Sequence, residues 1–327
     1  MIIVRSPLRI SLAGGGTDIP SFYESFSGAT LSFSINKYVY QMAHPLVESS
    51  KILLKYSKNE VASTASEVQH PVYREVVQLY GLKGIDFSIS SDIPAGTGLG
   101  SSSSFTVGLL HLTREYLGLE VNKRALAKEA CDIELNRLQE SVGKQDQYAS
   151  ALGGLNHLSY RSNGHVEVNP IFLEKNFLDI VEKNSILVRT KGTRSANSIL
   201  QNQTRSVLSD ESIESLLKMK NQADLLSKEL MSLNAKEIGE ALHEGWEMKK
   251  RVNKLISNET VNAEYETLRS MGAFGGKLLG AGGSGYLLVM APESVIEKVT
   301  KKFEGLTMGI KVDEKGSAKI YDSRYEL

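Results

Sequence analysis

The chain reads as a mixed α/β protein in two units, and three observations carry that reading. The first half alternates strand-like and helix-like segments. Near residue 180 the character changes to a long, charged, helical stretch. After it the chain returns to short strands around a glycine turn. These patterns predict an N-terminal mixed sheet with helices over 1–180. Over 181–327 they predict a ferredoxin-like unit of β-α-β-β-α-β order with extra helices. No Pro/Gly linker marks the boundary, so the two halves are expected to pack tightly.

Each element has its own signal. Ile2 to Leu12 alternates loosely and predicts a strand, ending in the turn Ala13-Gly14-Gly15-Gly16-Thr17-Asp18. Leu31–Met42 and Lys51–Tyr56 are rich in strand formers. Pro71–Tyr80 predicts a helix closed by Gly81. Ile85, Phe87 and Ile89 alternate with polar residues, which predicts a strand ended by Asp92-Ile93-Pro94. Phe105, Leu109, Leu112 and Tyr116 then recur at helical spacing up to Gly118. A second helix is expected from about Lys123 to Glu140, and a short one up to Gly153-Gly154. Strand-like segments follow to about Phe172. In the second half, Ser185–Thr190 predicts a strand and Ser195–Arg269 a helical stretch. Lys277–Gly280 and Gly285–Met290 predict strands, Glu293–Phe303 a helix, and Met308–Val312 and Ala318–Tyr321 the last strands.

Composition narrows the function classes. Lys+Arg and Asp+Glu both number 38 in 327 residues. That balance gives no electrostatic footprint for nucleic acid or an anionic membrane. The six histidines are scattered and pair with no cysteine cluster, which argues against a zinc enzyme. Cys131 is the single cysteine, so no internal disulfide forms and a reducing, cytoplasmic setting is expected. Arg5, Pro7 and Arg9 break the apolar N-terminus, which does not read as a signal peptide. No stretch approaches the ~20 apolar residues of a membrane span.

The chemistry concentrates in Pro94-Ala95-Gly96-Thr97-Gly98-Leu99-Gly100-Ser101-Ser102-Ser103-Ser104, between a predicted strand and a predicted helix. Glycines let backbone approach an anion, and the free N–H groups of a helix start face it. Serine also caps helices, but a cap needs one serine and here four follow three alternating glycines. A phosphate cradle is therefore expected. The chain has no Gly-Lys-Ser/Thr tripeptide, so this is not a P-loop. Gly280, Gly282 and Gly285 match the dinucleotide pattern, but a strand-like run follows them where that pattern opens a helix.

Three carboxylates stand out. Glu134 shares a helix face with Leu126, Ala130 and Leu138, so it needs a cation, a salt-bridge partner or exposure. Asp146 follows Gly143-Lys144-Gln145 and suits either a helix cap or a polar site tuned by Lys144. Asp18 and Arg9 flank the triple glycine. They read either as turn and surface residues or as a pair that would suit a sugar.

Three segments in this order resemble the GHMP kinase superfamily across nearly the whole chain: Arg5 to Asp18, Pro94 to Ser104, and Lys277 to Gly285. The Gly-Gly-Gly-Thr-Asp form of the first, the segment Gly143 to Ala149, and Arg194-Ser195-Ala196 are similar to the heptose 7-phosphate kinases of that superfamily. The kinase part of bacterial fucokinases is also similar. Lys191 and Ser284 depart from glycines expected there. The resemblance implies the two-domain fold of that superfamily, ATP and Mg²⁺ as cofactors, and a sugar phosphate as the partner small molecule. It implies phosphorylation of the C1 hydroxyl of D-glycero-D-manno-heptose 7-phosphate, feeding nucleotide-activated heptose and surface polysaccharide synthesis. A kinase for a free sugar such as fucose or galactose is the nearest alternative, and a non-catalytic ATP or sugar sensor is one of another class. The implied roles are Asp146 as catalytic aspartate with Arg9, Ser102 and Glu134 as magnesium ligands, and Pro94 to Ser104 as the ATP loop. Arg9, Gly15, Gly16, Thr17, Asp18, Lys144, Asp146, Lys191, Arg194, Gly282 and Gly283 are implied at the sugar. Monomer and homodimer both remain open.

Overall fold

A computed structural model describes residues 1–48, 50–191 and 209–325. Arg194, and with it Ser195 and Ala196, lies outside the described residues. The first unit runs β1 (Ile2–Ala13), α1 (Pro20–Phe26), β2 (Gly28–Pro45), β3 (Ile52–Lys55), β4 (Asn59–Ala62), α2 (Pro71–Tyr80) and β5 (Ile85–Ser91). It continues through α3 (Ser101–Leu117), α4 (Lys123–Cys131), a π-helical stretch over Asp132–Arg137, α5 (Gln145–Leu152), β6 (Leu155–Tyr160) and β7 (Val166–Ile171). Then come α6 (Lys175–Asn184), β8 (Ser185–Arg189), α7 (Asp210–Glu229), α8 (Ala235–Val252) and α9 (Glu259–Ser270). The chain closes with β9 (Gly275–Leu278), β10 (Tyr286–Met290), α10 (Glu293–Lys302), β11 (Thr307–Met308) and β12 (Ala318–Asp322).

β2 organises the first sheet. Its length lets it pair with β1 along one side, and with β6 and then β5 along the other. The path is β12-β1-β2-β5-β3-β4, with β7 on β6. The β3–β5 pair is parallel and the others antiparallel, so the sheet is mixed. α3 lies on β1 and β2. Val107, Leu109, Leu110 and Leu112 are all fully buried, although they point to different sides of the helix. A helix apolar all round is an enclosed one. The second sheet is antiparallel with order β11-β8-β10-β9, the ferredoxin-like order, and α7 to α9 lie between its first two strands, two helices more than that order requires.

The sequence reading needs four corrections. Ala318–Tyr321 does not complete the second sheet: Ala318–Asp322 pairs antiparallel with Ile2–Arg5 of β1, which covers an otherwise open sheet edge. The fourth strand of the second sheet is only Thr307–Met308, and Val312 makes an isolated bridge to Ile35. The helix expected to reach Glu140 turns π-helical at Asp132 and ends at Leu138, followed by Gln139 at φ +52°. α1, β4 and α6 were not anticipated; α1 and β4 are too short for their periodicity to register.

Candidate active site

The phosphate loop connects β5 to the N-terminus of α3. Leu99 is fully buried and anchors it, while Pro94 to Gly96 are exposed. Gly96, Gly98 and Gly100 have φ of +78°, +83° and +78°. No side chain caps α3, so the serines do not serve as its N-cap. They have separate tasks. Ser104 donates to the Pro7 carbonyl at 2.8 Å and ties the helix to β1. Ser103 donates to Glu134 at 2.8 Å, and Ser102 is exposed. Thr97 closes the loop by donating to the Pro94 carbonyl at 3.0 Å. The first-turn N–H groups of a long helix are thus left without a side-chain cap at the loop.

The glycines of the third segment brace this loop. A Cβ on Gly98 would lie 2.5 Å from the Leu279 carbonyl oxygen, and one on Gly285 2.5 Å from that of Thr97. Two backbones from different units therefore touch without side chains between them. Gly282 packs on Ile256, and the Gly283 N–H donates to the Ile256 carbonyl at 2.9 Å. Gly280 and Ala281, rather than Gly282 and Gly283, reach the neighbouring cavity.

That cavity lies between the two units and gathers Arg9, Asp18, Asp146, Lys249 and Lys277. Arg9, buried on β1, grips Asp146 with both prongs, Nε to Oδ1 at 2.7 Å and Nη2 to Oδ2 at 2.6 Å. Its Nη1 donates to the Gly98 carbonyl at 2.7 Å, so one guanidinium joins the aspartate to the phosphate loop. Asp146 is in the first turn of α5 but caps nothing. Asp18 accepts from the Gly16 N–H at 3.0 Å and the Gln145 N–H at 3.1 Å. Burial, and then the nearby Asp146, hold its pKa above the ordinary value. Gly143 is needed there, because a Cβ would lie 1.9 Å from Asp18 Oδ2.

Glu134 is 1% exposed although it carries a carboxyl group. The π-helical stretch turns it inward beneath α3, beyond the buried Leu126 and Ala130. Its Oε2 accepts from Ser103 at 2.8 Å and from Gln147 Nε2 at 2.6 Å. Its Oε1 and the Gln147 Oε1 are both buried without a hydrogen-bond partner. Burial pushes the Glu134 pKa up to about 7. Two orphaned acceptor oxygens beside a serine-lined helix start are a donor set that fits a hard cation. The serine brought against Glu134 is Ser103, not Ser102.

Other expected substrate residues lie elsewhere. Thr17 is fully buried and bonds the Gly14 and Ala29 carbonyls, locking the turn. Lys144 lines a separate, larger cleft, where its Nζ donates to the Gly164 carbonyl at 2.6 Å and lies over the Tyr23 ring. Lys191 is exposed, with its backbone N–H on Glu264 at 3.3 Å. Gly15 and Gly16 do line the central cavity.

Lys249 and Lys277 were not anticipated as site residues. Lys249 sits on the buried stripe of α8 after Ile238, Leu242 and Trp246, and a lysine at that position was the readable signal. Its Nζ donates to the Gly280 carbonyl. Burial, and then Arg9, push its pKa down to about 8. Lys277 Nζ donates to the Leu12 carbonyl at 3.1 Å. Burial, and then Lys249 and Arg9, hold its pKa well below the lysine value.

The model "GHMP kinases N terminal domain" matches residues 67–154, and "GHMP kinases C terminal" matches 224–305. A D-glycero-alpha-D-manno-heptose 7-phosphate kinase of Campylobacter jejuni is 29% identical over 299 residues, covering 88% of each chain. An L-fucokinase/L-fucose-1-P guanylyltransferase of Bacteroides fragilis is 26% identical over 332 residues, covering 88% of this chain but 34% of that protein. The crystal structure of a D-glycero-D-manno-heptose 1-phosphate kinase from Bacteroides thetaiotaomicron superposes with a TM-score of 0.80 at 26% identity, covering 98% of this chain and 100% of that one.

Proposed function

Since the chain belongs to the GHMP kinases, we propose that it transfers the γ-phosphoryl group of ATP to the C1 hydroxyl of D-glycero-D-manno-heptose 7-phosphate, giving the 1,7-bisphosphate. The observation that carries this reading is the Arg9–Asp146 pair, joined to the phosphate loop through Gly98 and opening on a cationic cavity. The similarity to a heptose 7-phosphate kinase over 88% of both chains supports the choice of sugar.

The chain's own groups divide the work. Asp146 faces the cavity at the phosphate-loop end, where it accepts or orients the proton of the attacking hydroxyl. The two-pronged grip of Arg9 fixes which way both oxygens point. The Pro94 to Ser104 loop holds the ATP phosphates on its N–H groups, and Asp18 receives sugar hydroxyls at the far side. Glu134, with the loop serines and the orphaned Gln147 oxygen, would hold magnesium. When bound, that ion would neutralise negative charge on the phosphates. In phosphoryl transfer most of the acceleration comes from such positioning and electrostatics. Residues 1–180 with the closing strand would then form the nucleotide-binding unit, and 181 to about 310 the other wall of the acceptor cavity.

A free-sugar kinase is the second reading, favoured by the similarity to the fucokinase. An ADP-release assay with heptose 7-phosphate, free heptose, L-fucose and galactose separates the two. The heptose phosphate is expected to give the highest kcat/KM, and a higher value for fucose or galactose overturns the proposal. ADP release with any of these sugars removes a purely sensing role.

A further inference from the structure

Lys249 and Lys277 have no place in the phosphoryl-transfer step described above. Both are buried, and both face the cavity shared by Arg9, Asp18 and Asp146. Among the described residues, their ammonium groups hydrogen-bond only to backbone carbonyls, those of Gly280 and Leu12. Among the described residues, too, neither forms an ion pair with a carboxylate. A buried ammonium left with a single carbonyl partner is costly, and proteins normally pair it. The downward pull on both lysines reflects that cost.

Charge counting shows what is missing. Arg9 is matched by the two-pronged contact with Asp146. Asp18, whose oxygens already accept two backbone N–H groups, is the one other carboxylate lining the cavity among the described residues. With every group ionised, three cations thus face two carboxylates, a formal surplus of one positive charge. A phosphate monoester carries roughly −1.5 to −2 at neutral pH and three acceptor oxygens. Gly15 and Gly16, on the opposite wall, present backbone to the same cavity without side chains.

We propose that Lys249 and Lys277 form the subsite for the acceptor's own phosphate ester, and so select a sugar phosphate over the free sugar. The inference rests on reading the chain as a sugar kinase and sharpens it. A free sugar would leave both ammonium groups dehydrated with no anion, whereas a sugar phosphate supplies one. The ATP γ-phosphate is the competing anion. It has the loop N–H groups and the Glu134 cation site for its charge, and it is the same whichever acceptor is bound.

The test compares wild type with Lys249→Met, Lys277→Met and the charge-keeping Lys249→Arg. The acceptors are heptose 7-phosphate and free heptose, at saturating ATP and Mg²⁺. Thermal unfolding identifies any variant that fails to fold, in which case Lys249→Gln and Lys277→Gln replace the methionines. The ratio of kcat/KM for the phosphorylated over the free sugar is expected to fall on the order of 10- to 100-fold in the uncharged variants, as loss of a charged hydrogen bond implies. The fall should reside in KM, with partial recovery in Lys249→Arg. An equal loss on both acceptors, residing in kcat, assigns the lysines to the transferring phosphoryl group and overturns the proposal. If wild type prefers a different sugar phosphate, the heptose assignment fails, while the lysines are judged by the same ratio on that sugar and its free form. A wild type that prefers unphosphorylated sugars overturns the subsite outright.

Discussion

Replacing Gly98 by alanine tests the contact on which the whole site rests. Gly98 has φ +83°, and its missing Cβ would lie 2.5 Å from the Leu279 carbonyl oxygen. Gly96 is the matched control: its φ is +78°, but nothing lies within 4 Å of the Cβ position. Both substitutions carry the left-handed backbone penalty, roughly 1–2 kcal/mol. Only Gly98→Ala adds a clash with backbone that cannot rotate away, and overpacking of this kind costs about 1–3 kcal/mol more. Gly96→Ala should therefore lose about 1–2 kcal/mol and Gly98→Ala about 2–5 kcal/mol, measured by urea unfolding. Arg9 donates to the Gly98 carbonyl, so displacement of the loop also disturbs the Asp146 grip. Gly98→Ala should lower kcat as well as raise the KM for ATP. Equal destabilisation by the two alanines would refute the back-to-back packing of the two glycine loops.

Three further outcomes follow. Asp146→Asn keeps the shape but not the base, so turnover should fall roughly 10²–10⁴-fold, with a loss of about 1.5–3 kcal/mol in unfolding because Arg9 loses its charged partner; near-normal turnover in a folded variant removes the assignment. Glu134→Gln should raise the Mg²⁺ concentration for half-maximal activity on the order of 10²-fold, since even ligand-supporting residues are worth about 10–100-fold; an unchanged Mg²⁺ titration excludes Glu134 as a ligand. The Lys249 pKa is lowered from 10.5 to about 8. The unfolded chain then holds the extra proton between these values, so this group's contribution to stability rises with pH across that window and is least below pH 8. The shift corresponds to about 3 kcal/mol. Lys249→Met should therefore be stabilised relative to wild type by about that amount more at pH 7 than near pH 10.5. A pH-independent difference in urea unfolding contradicts the burial of a lone ammonium.

The phosphate loop and its helix were legible in one dimension because their chemistry is local. Alternating glycines, a serine run and a following apolar helix all fall within consecutive residues, from Gly96 to Leu117. The helix Pro71–Tyr80 with Gly81 as its left-handed end was legible for the same reason. Glu134 was recognisable as a carboxylate on an apolar stripe, but not its neighbours. A π-helical stretch decides which way it turns, and that depends on packing under α3. The closing strand was misplaced because the pattern of Ala318–Asp322 reveals a strand and not which sheet edge needs one. Lys249 and Lys277 show the limit most clearly. They are 28 residues apart in sequence and reach one cavity only when α8 and β9 fold over β1. Local pattern therefore determined the elements, the anion loop and the family resemblance. Tertiary structure alone decided which charges face one another without a counter-ion, because burial and pairing are properties of the packed chain.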